Sequence, residues 1–214
     1  MSLGDLVFLV GLLLTAGTVL RAGYLLLRRR AAQSGRVLRR WAVCALVYVC
    51  VLVAVSLIQS QRSIPAGRPQ CFDEWCVVID GATRRHAIGA TSAVGDFIVV
   101  TARVENQGRG RPQREADVYA ELRDDRGQRY LASPRGQTAL EQQTVVHSTL
   151  RDSVAAGHAT RVELVFDVPP TAQQLSVVVR HDWFPHALII GDPESLMHRP
   201  VVVPLAQRRI GSSR

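Results

Sequence analysis

The chain has 214 residues and a formal net charge of +8, and its basic residues are all arginine, 26 of them with no lysine. A charge of that sign invites a nucleic-acid reading, but its distribution excludes one. Seven arginines stand before Gln59 against a single acid, Asp5, which leaves 19 arginines against 17 acids in the remainder. No basic nucleic-acid face is expected from so even a balance.

The excess charge flanks two apolar segments. Leu6 to Leu27 is apolar apart from Arg21 and a few small or hydroxyl residues, and Trp41 to Ile58 carries no charge. Each reaches the roughly 18 to 22 residues that cross a hydrocarbon core about 30 Å thick. The sequence predicts a two-helix membrane anchor over 1–58, with helices at about 6–27 and 41–58 and a cytoplasmic loop at 28–40.

Arginine decides the orientation. Arg28, Arg29 and Arg30 end the first segment and Arg39 and Arg40 begin the second. Short arginine-rich loops stay in the cytoplasm, and Arg21 is near enough to snorkel toward the same headgroups. The expected protein is a two-span protein of the cell membrane, with its N-terminus and C-terminal domain outside the cytoplasm. Two alternatives stand beside this one. The second segment could be a cleaved signal ending at Ala54-Val55-Ser56, although its apolar run is longer than such signals carry. An inverted topology would put the domain inside. Cys44 and Cys50 fall on different faces of a helix and read as packing residues.

A linker is expected over 59–75, marked by Pro65, Gly67 and Pro69, then a β-sandwich over 76–206 and a disordered tail over 207–214. Within the domain, Val162, Leu164, Phe166 and Val168 alternate with Arg161, Glu163 and Asp167. Leu175, Val177 and Val179 make a second inward row, and Ile98, Val100, Ala102 and Val104 a third. Val118, Ala120 and Leu122 lead through D-D-R-G into a returning strand at 128–133. Cys76–Ile79 and Pro200–Leu205 read as outer strands. The stretch 130–156 is less patterned and has room for a flap or short helix. About seven short strands with one-sided alternation indicate an immunoglobulin-like sandwich.

The stretches G-D-F-I-V-V-T-A-R-V-E-N-Q-G (95–108), D-V-Y-A-E-L-R-D-D-R-G-Q-R-Y (117–130) and A-A-G-H-A-T-R-V-E-L-V-F-D-V-P (155–169) carry a resemblance. They resemble a bacterial extracytoplasmic immunoglobulin-like domain family of unknown function, found on secreted lipoproteins and membrane-anchored proteins. The resemblance covers roughly Cys76 to Arg180. It implies fold and placement but no catalytic residues. The chain departs from the pattern at Ala156, where proline is common, and in the added tail from His181 to Pro200.

Three sets of residues could carry chemistry. Cys71 and Cys76 sit in C-F-D-E-W-C, without the second pair that zinc sites use and without thioredoxin-like C-x-x-C spacing. On the extracytoplasmic side a disulfide is expected, with free thiols or a metal or redox pair as alternatives. His181, Asp182, His186 and His198 could converge on a metal, but they match no named motif. The plainer reading is that this tail caps one end of the sandwich, with Trp183 and Phe184 as apolar plugs or partner contacts. A hydrolase triad lacks the G-x-S-x-G elbow, and Asp124-Asp125 reads as a turn. The expected function is noncatalytic binding to an envelope partner or protein from a bilayer anchor, with no cofactor. The alternative is a metal-binding protein or metal-assisted enzyme built on the 181–198 tail.

Overall fold

A computed structural model describes residues 3–143, 148–181, 187–192 and 195–209. The chain forms two compact units, one of Met1–Gln61 with Trp183–Pro200 and the other of Arg62–Asp182 with Val201–Arg214.

The first unit is built on two long helices, α1 (Leu3–Leu27) and α2 (Ala31–Ile58). Both are long and apolar enough to cross a membrane. Their connection is far shorter than the expected loop over 28–40. Arg30 N–H donates to Leu25 O at 2.8 Å and Arg29 N–H to Leu26 O at 2.9 Å, while Arg29 takes φ +56°. That pairing of a six-to-one and a five-to-two bond is a Schellman ending with arginine at the left-handed position. Ser34 N–H already donates back to Arg30 O, so α2 starts ten residues before the uncharged run. The expectation placed its start where charge ended. Residues such as Ala31, Ala32, Leu38 and the arginines are good helix formers, so the helix extends through them.

Two contacts set the antiparallel register of this hairpin. The Ser34 hydroxyl donates to Ala22 O at 3.1 Å, and Trp41 Nε1 donates to Thr15 Oγ1 at 3.1 Å. Their spacing is the same on both helices, seven residues, so the pairing does not slip. Arg21 thereby lies level with Gly35, and the seven arginines share the half of the pair next to the turn.

The second unit is a sandwich of two sheets. One has the order β1 (Pro69–Phe72), β2 (Trp75–Ile88), β3 (Thr91–Asn106), β6 (Ala159–Val168), with β9 (Gln207–Arg209) parallel to β2. The other has the order β5 (Arg129–Leu131), β4 (Val118–Arg123), β7 (Ser176–His181), β8 (Val203–Pro204). β2 and β3 form a hairpin, the chain then crosses to β4, returns at β6 and crosses again to β7. Pairings β3–β6 and β4–β7 between strands distant in sequence give the immunoglobulin-like Greek key.

All three inward rows read from the sequence face this core. Ile98, Val100, Ala102, Val104, Val162, Phe166, Val168, Leu175, Val177 and Val179 are buried together, and Leu164 packs against them. A second cluster lies on the other face of the first sheet. Phe97, Val99 and Val165 pack there against Ala139 and Leu140 of α3 (Pro134–Glu141). Ser133 caps α3 by accepting from Gly136 N–H, with Pro134 opening the helix. Gln137 then bonds Glu163 O and Val165 N–H, covering the outer edge of β6.

Three boundaries differ from expectation. The linker over 59–75 is interrupted by Ser63, which bridges to Val202, and by β1, so ordered pairing begins earlier. The outer strand at Pro200–Leu205 shortens to Val203–Pro204. The tail over 207–214 is not wholly without structure, because Gln207–Arg209 adds to the edge of β2 beyond the part that β1 occupies; residues 210–214 lie outside those described.

Candidate functional site

The C-F-D-E-W-C stretch is a tight hairpin. Cys71 and Cys76 are direct partners across β1 and β2 and form a disulfide. Asp73 makes the turn with φ +57°, a conformation that aspartate tolerates better than most residues. Phe72 and Trp75 follow the pair, and Trp75 is only 1 % exposed, part of the core beside Val77 and Ile79.

His181 meets this hairpin. It extends the inward row of Val177 and Val179, and its ring lies 4.2 Å from Phe72 and 6.0 Å from Trp75, edge-on to the latter. Its Nδ1 is 3.6 Å from a Glu115 carboxylate oxygen. A histidine in this place closes the end of the core with an aromatic face and turns a nitrogen to an acid. His198 belongs to the helical unit, and Asp182, Trp183, Phe184 and His186 lie outside the described residues. Among the described residues, no group of three His, Cys, Asp or Glu side chains is placed to hold a metal.

The expected plugs of a sandwich cap, Trp183 and Phe184, lie outside the described residues, and the tail from Trp183 to Pro200 groups with the helical unit. Its described part packs with the helices: Tyr48 Oη donates to Leu188 O, the Ser56 and Ser195 hydroxyls lie 2.9 Å apart, and Gln61 Nε2 donates to Pro200 O at 3.4 Å. The apolar run A-L-I-I at 187–190 was the one signal in sequence for such a partner.

The motif residues behind the resemblance have structural work. Asn106 is buried, donating from Nδ2 to Arg111 O and Val154 O while its Oδ1 accepts from Gly108 N–H. It thus ties two loops to the end of β3. Asp124 organises the β4–β5 turn, accepting from Arg126 N–H, Gln128 N–H and the Tyr130 hydroxyl. Partial burial pushes its carboxyl up, but the bonds from Gln128, Tyr130 and Arg126, with Arg126's charge, outweigh this and hold it below the usual range. Burial, then the Asp124 bond and charge, raise the Tyr130 phenol. Gly127 takes φ +77° in the turn itself.

A polar constellation that sequence reasoning missed lies on the outer face of the second sheet. Glu121 alternates out of phase with the core residues Ala120 and Leu122, yet has no solvent exposure. Arg123 donates to Oε1 at 2.8 Å and Arg129 to Oε2 at 2.7 Å, each from Nε. The carboxylate and its hydrogen bonds hold Arg129 more firmly protonated than a free guanidinium. Val178 is its cross-strand partner and is also fully buried. Tyr119 and Arg180 pair beside them, and Leu131, opposite Glu121 on β5, is 66 % exposed. The face therefore offers arginines, a tyrosine and one exposed leucine over a neutralised acid. The lone acid between apolar neighbours, with arginines two and eight residues on, was the available signal.

No family model matches the chain, and no curated protein does. Solved structures share its outline. MPT63, a secreted protein from Mycobacterium tuberculosis, is 12 % identical with a TM-score of 0.45, covering 68 % of this chain and 98 % of its own. The yjhA protein from Bacillus subtilis is 10 % identical with a TM-score of 0.40, covering 66 % and 98 %. A β-sandwich protein from Clostridium difficile 630 is 11 % identical with a TM-score of 0.40, covering 68 % and 95 %. The fold assignment rests on the strand pairings of this chain itself.

Proposed function

We propose that this protein is a noncatalytic interaction module, held in the cell membrane by α1 and α2 and displaying its sandwich on the extracytoplasmic side. The observation that carries the reading is the partition of charge and sulfur. Seven arginines crowd the turn end of the helical hairpin, and beyond the second helix stands a disulfide. Arginine-rich turns stay in the cytoplasm, and disulfides persist on the oxidising side; both point to the same orientation. Membership of the extracytoplasmic immunoglobulin-like family is part of the same proposal and accords with the sandwich topology.

Several described side chains that could have served catalysis have other occupations. Cys71 and Cys76 are joined, His181 stacks on the core, Asp124 shapes a turn and Glu121 is clamped. We place partner contact on the arginine-bearing outer face of β5, β4 and β7, which suits an acidic protein segment or envelope polymer. Orientation is tested in the Cys44→Ser, Cys50→Ser background with Gly127→Cys on intact cells. Labelling by a membrane-impermeant maleimide before lysis is expected; labelling only after lysis overturns the placement. Crosslinking and affinity capture from the native membrane tests the rest. Arg180→Glu should abolish the captured partner while Arg109→Glu, in a loop away from this sheet, should not.

A further inference from the structure

The helical register fixes where hydrocarbon can begin, and this gives the β7–β8 connection a depth. Arg36, Arg39 and Arg40 occupy α2 up to Trp41, and the uncharged run from there to Ile58 is about 27 Å long at 1.5 Å per residue. That length is close to the hydrocarbon thickness, so none of it is spare. Tyr48, Leu52 and Ser56 are four residues apart and share one face of this run. Leu52 is 1 % exposed and Ser56 likewise. The described part of the connection lies along that face, with Pro200 at Gln61, Ser195 at Ser56 and Leu188 at Tyr48. It therefore extends about 15 Å along α2 from the helix end at Ile58.

Non-helical backbone survives at such depth only when its polar groups are satisfied by protein. Several polar groups in the described parts of the connection are satisfied in this way. Leu196 N–H donates to Ala187 O at 2.9 Å, Asp192 N–H to Ile189 O at 3.3 Å, Ser195 N–H to Asp192 O at 3.0 Å and His198 N–H to Ser195 O at 2.9 Å. Leu188 O takes the Tyr48 hydroxyl, and the Ser56 and Ser195 hydroxyls satisfy each other in a buried pair. Left-handed turns at Gly191 (φ +83°) and Met197 (φ +64°) keep the loop compact. Among its exposed side chains, Leu196 at 47 % and Met197 at 62 % are apolar and continue the exposed leucines and valines of α1 and α2, while Arg199 is exposed nearer the Pro200 end.

We propose that the described part of the β7–β8 connection over 187–192 and 195–197 is membrane-inserted, docked on the Tyr48–Leu52–Ser56 face of α2, with Leu196 and Met197 among the acyl chains of the outer leaflet. The proposal rests on the reading of α1 and α2 as spans. Its test uses the full chain in phosphatidylcholine–phosphatidylglycerol vesicles, with Cys44→Ser and Cys50→Ser throughout. A nitroxide is placed singly at Leu196→Cys, Met197→Cys, Leu46→Cys on the exposed face of α2, and Gly127→Cys in the sandwich. Collision with oxygen and with a water-soluble nickel complex is then compared. Positions 196 and 197 should match position 46, with oxygen favoured and the nickel complex excluded, and should reverse the ratio at 127. If 196 and 197 follow 127 while 46 remains shielded, the loop is in water and the inference falls alone. If position 46 is itself open to the nickel complex, the spans fail and the inference goes with them.

Discussion

Arg129 Nε donates to Glu121 Oε2 at 2.7 Å, and the carboxylate it meets is wholly without solvent exposure although Arg129 itself is half exposed. The burial is one-sided, so the two ends of the contact should respond differently to mutation. Removing a partner strands a buried carboxylate, whereas removing the carboxylate frees guanidinium groups that water can solvate. Arg123→Ala with Arg129→Ala should therefore destabilise the full chain by about 3 kcal/mol, near the lower end for broken buried pairs. Glu121→Gln should cost clearly less. Denaturant unfolding in detergent, followed by tryptophan fluorescence, checks this; equal losses would show that the acid does not depend on its clamp.

The Cys71–Cys76 bridge closes a small ring, with a sequence separation of 5. Loop-entropy reasoning gives such a ring about 2 kcal/mol, which for a domain of this size is about 4–8 °C in Tm. Cys71→Ser with Cys76→Ser should lower the melting temperature by that amount and leave the sandwich folded. Scanning calorimetry of oxidised protein, reduced protein and the double variant is the measurement. Reduced wild type should match the variant, because the same constraint is lost in both.

Gly95 sits where β3 meets the end of β6. An added Cβ would lie 2.1 Å from Val168 O and 3.0 Å from Pro169 Cα, both backbone atoms that cannot rotate away. Gly95→Ala should thus destabilise by at least the about 1–3 kcal/mol of an overpacked site. Gly110→Ala has open space around it and should be neutral. Comparison of their unfolding midpoints decides the matter, and parity between them would deny the close approach.

Much of the fold is written in alternation, and what escapes alternation escaped the sequence reading. Val162, Phe166 and Val168 declare a buried face because charged residues separate them. Phe97 and Val99 lie among Ile98 and Val100, so F-I-V-V carries no sign that its other face meets α3. The start of α2 was hidden by arginine, since charge ended the apolar run but not the helix. Glu121 and the 187–200 segment depend on contacts distant in sequence: eight residues for Arg129, about 140 for Ser56 and Ser195. The disulfide was legible because the expected topology and the cysteine spacing pointed the same way. His181 was legible as a notable residue but not in its role, which depends on Phe72 and Trp75 arriving from another strand.

The Asp124–Tyr130 contact predicts a pH response of defined sign. Asp124 binds its proton more weakly in the folded chain than in the unfolded one. Its contribution is therefore present above the ordinary aspartate range near pH 4 and is lost as pH falls through the lower, folded value. Tyr130 is shifted upward, so its contribution holds below about pH 10 and is lost as pH rises through the folded value. Tyr130→Phe deletes one of the bonds that hold the Asp124 carboxyl down, while leaving those from Gln128 and Arg126. The Asp124 titration, followed by carbon-detected NMR, should move upward in this variant, and the alkaline loss attributed to Tyr130 should vanish. Asp124→Asn should remove the acid-side loss instead. If Tyr130→Phe leaves the Asp124 titration unchanged, the hydroxyl does not bond the carboxylate in solution, and the backbone donors alone set the turn.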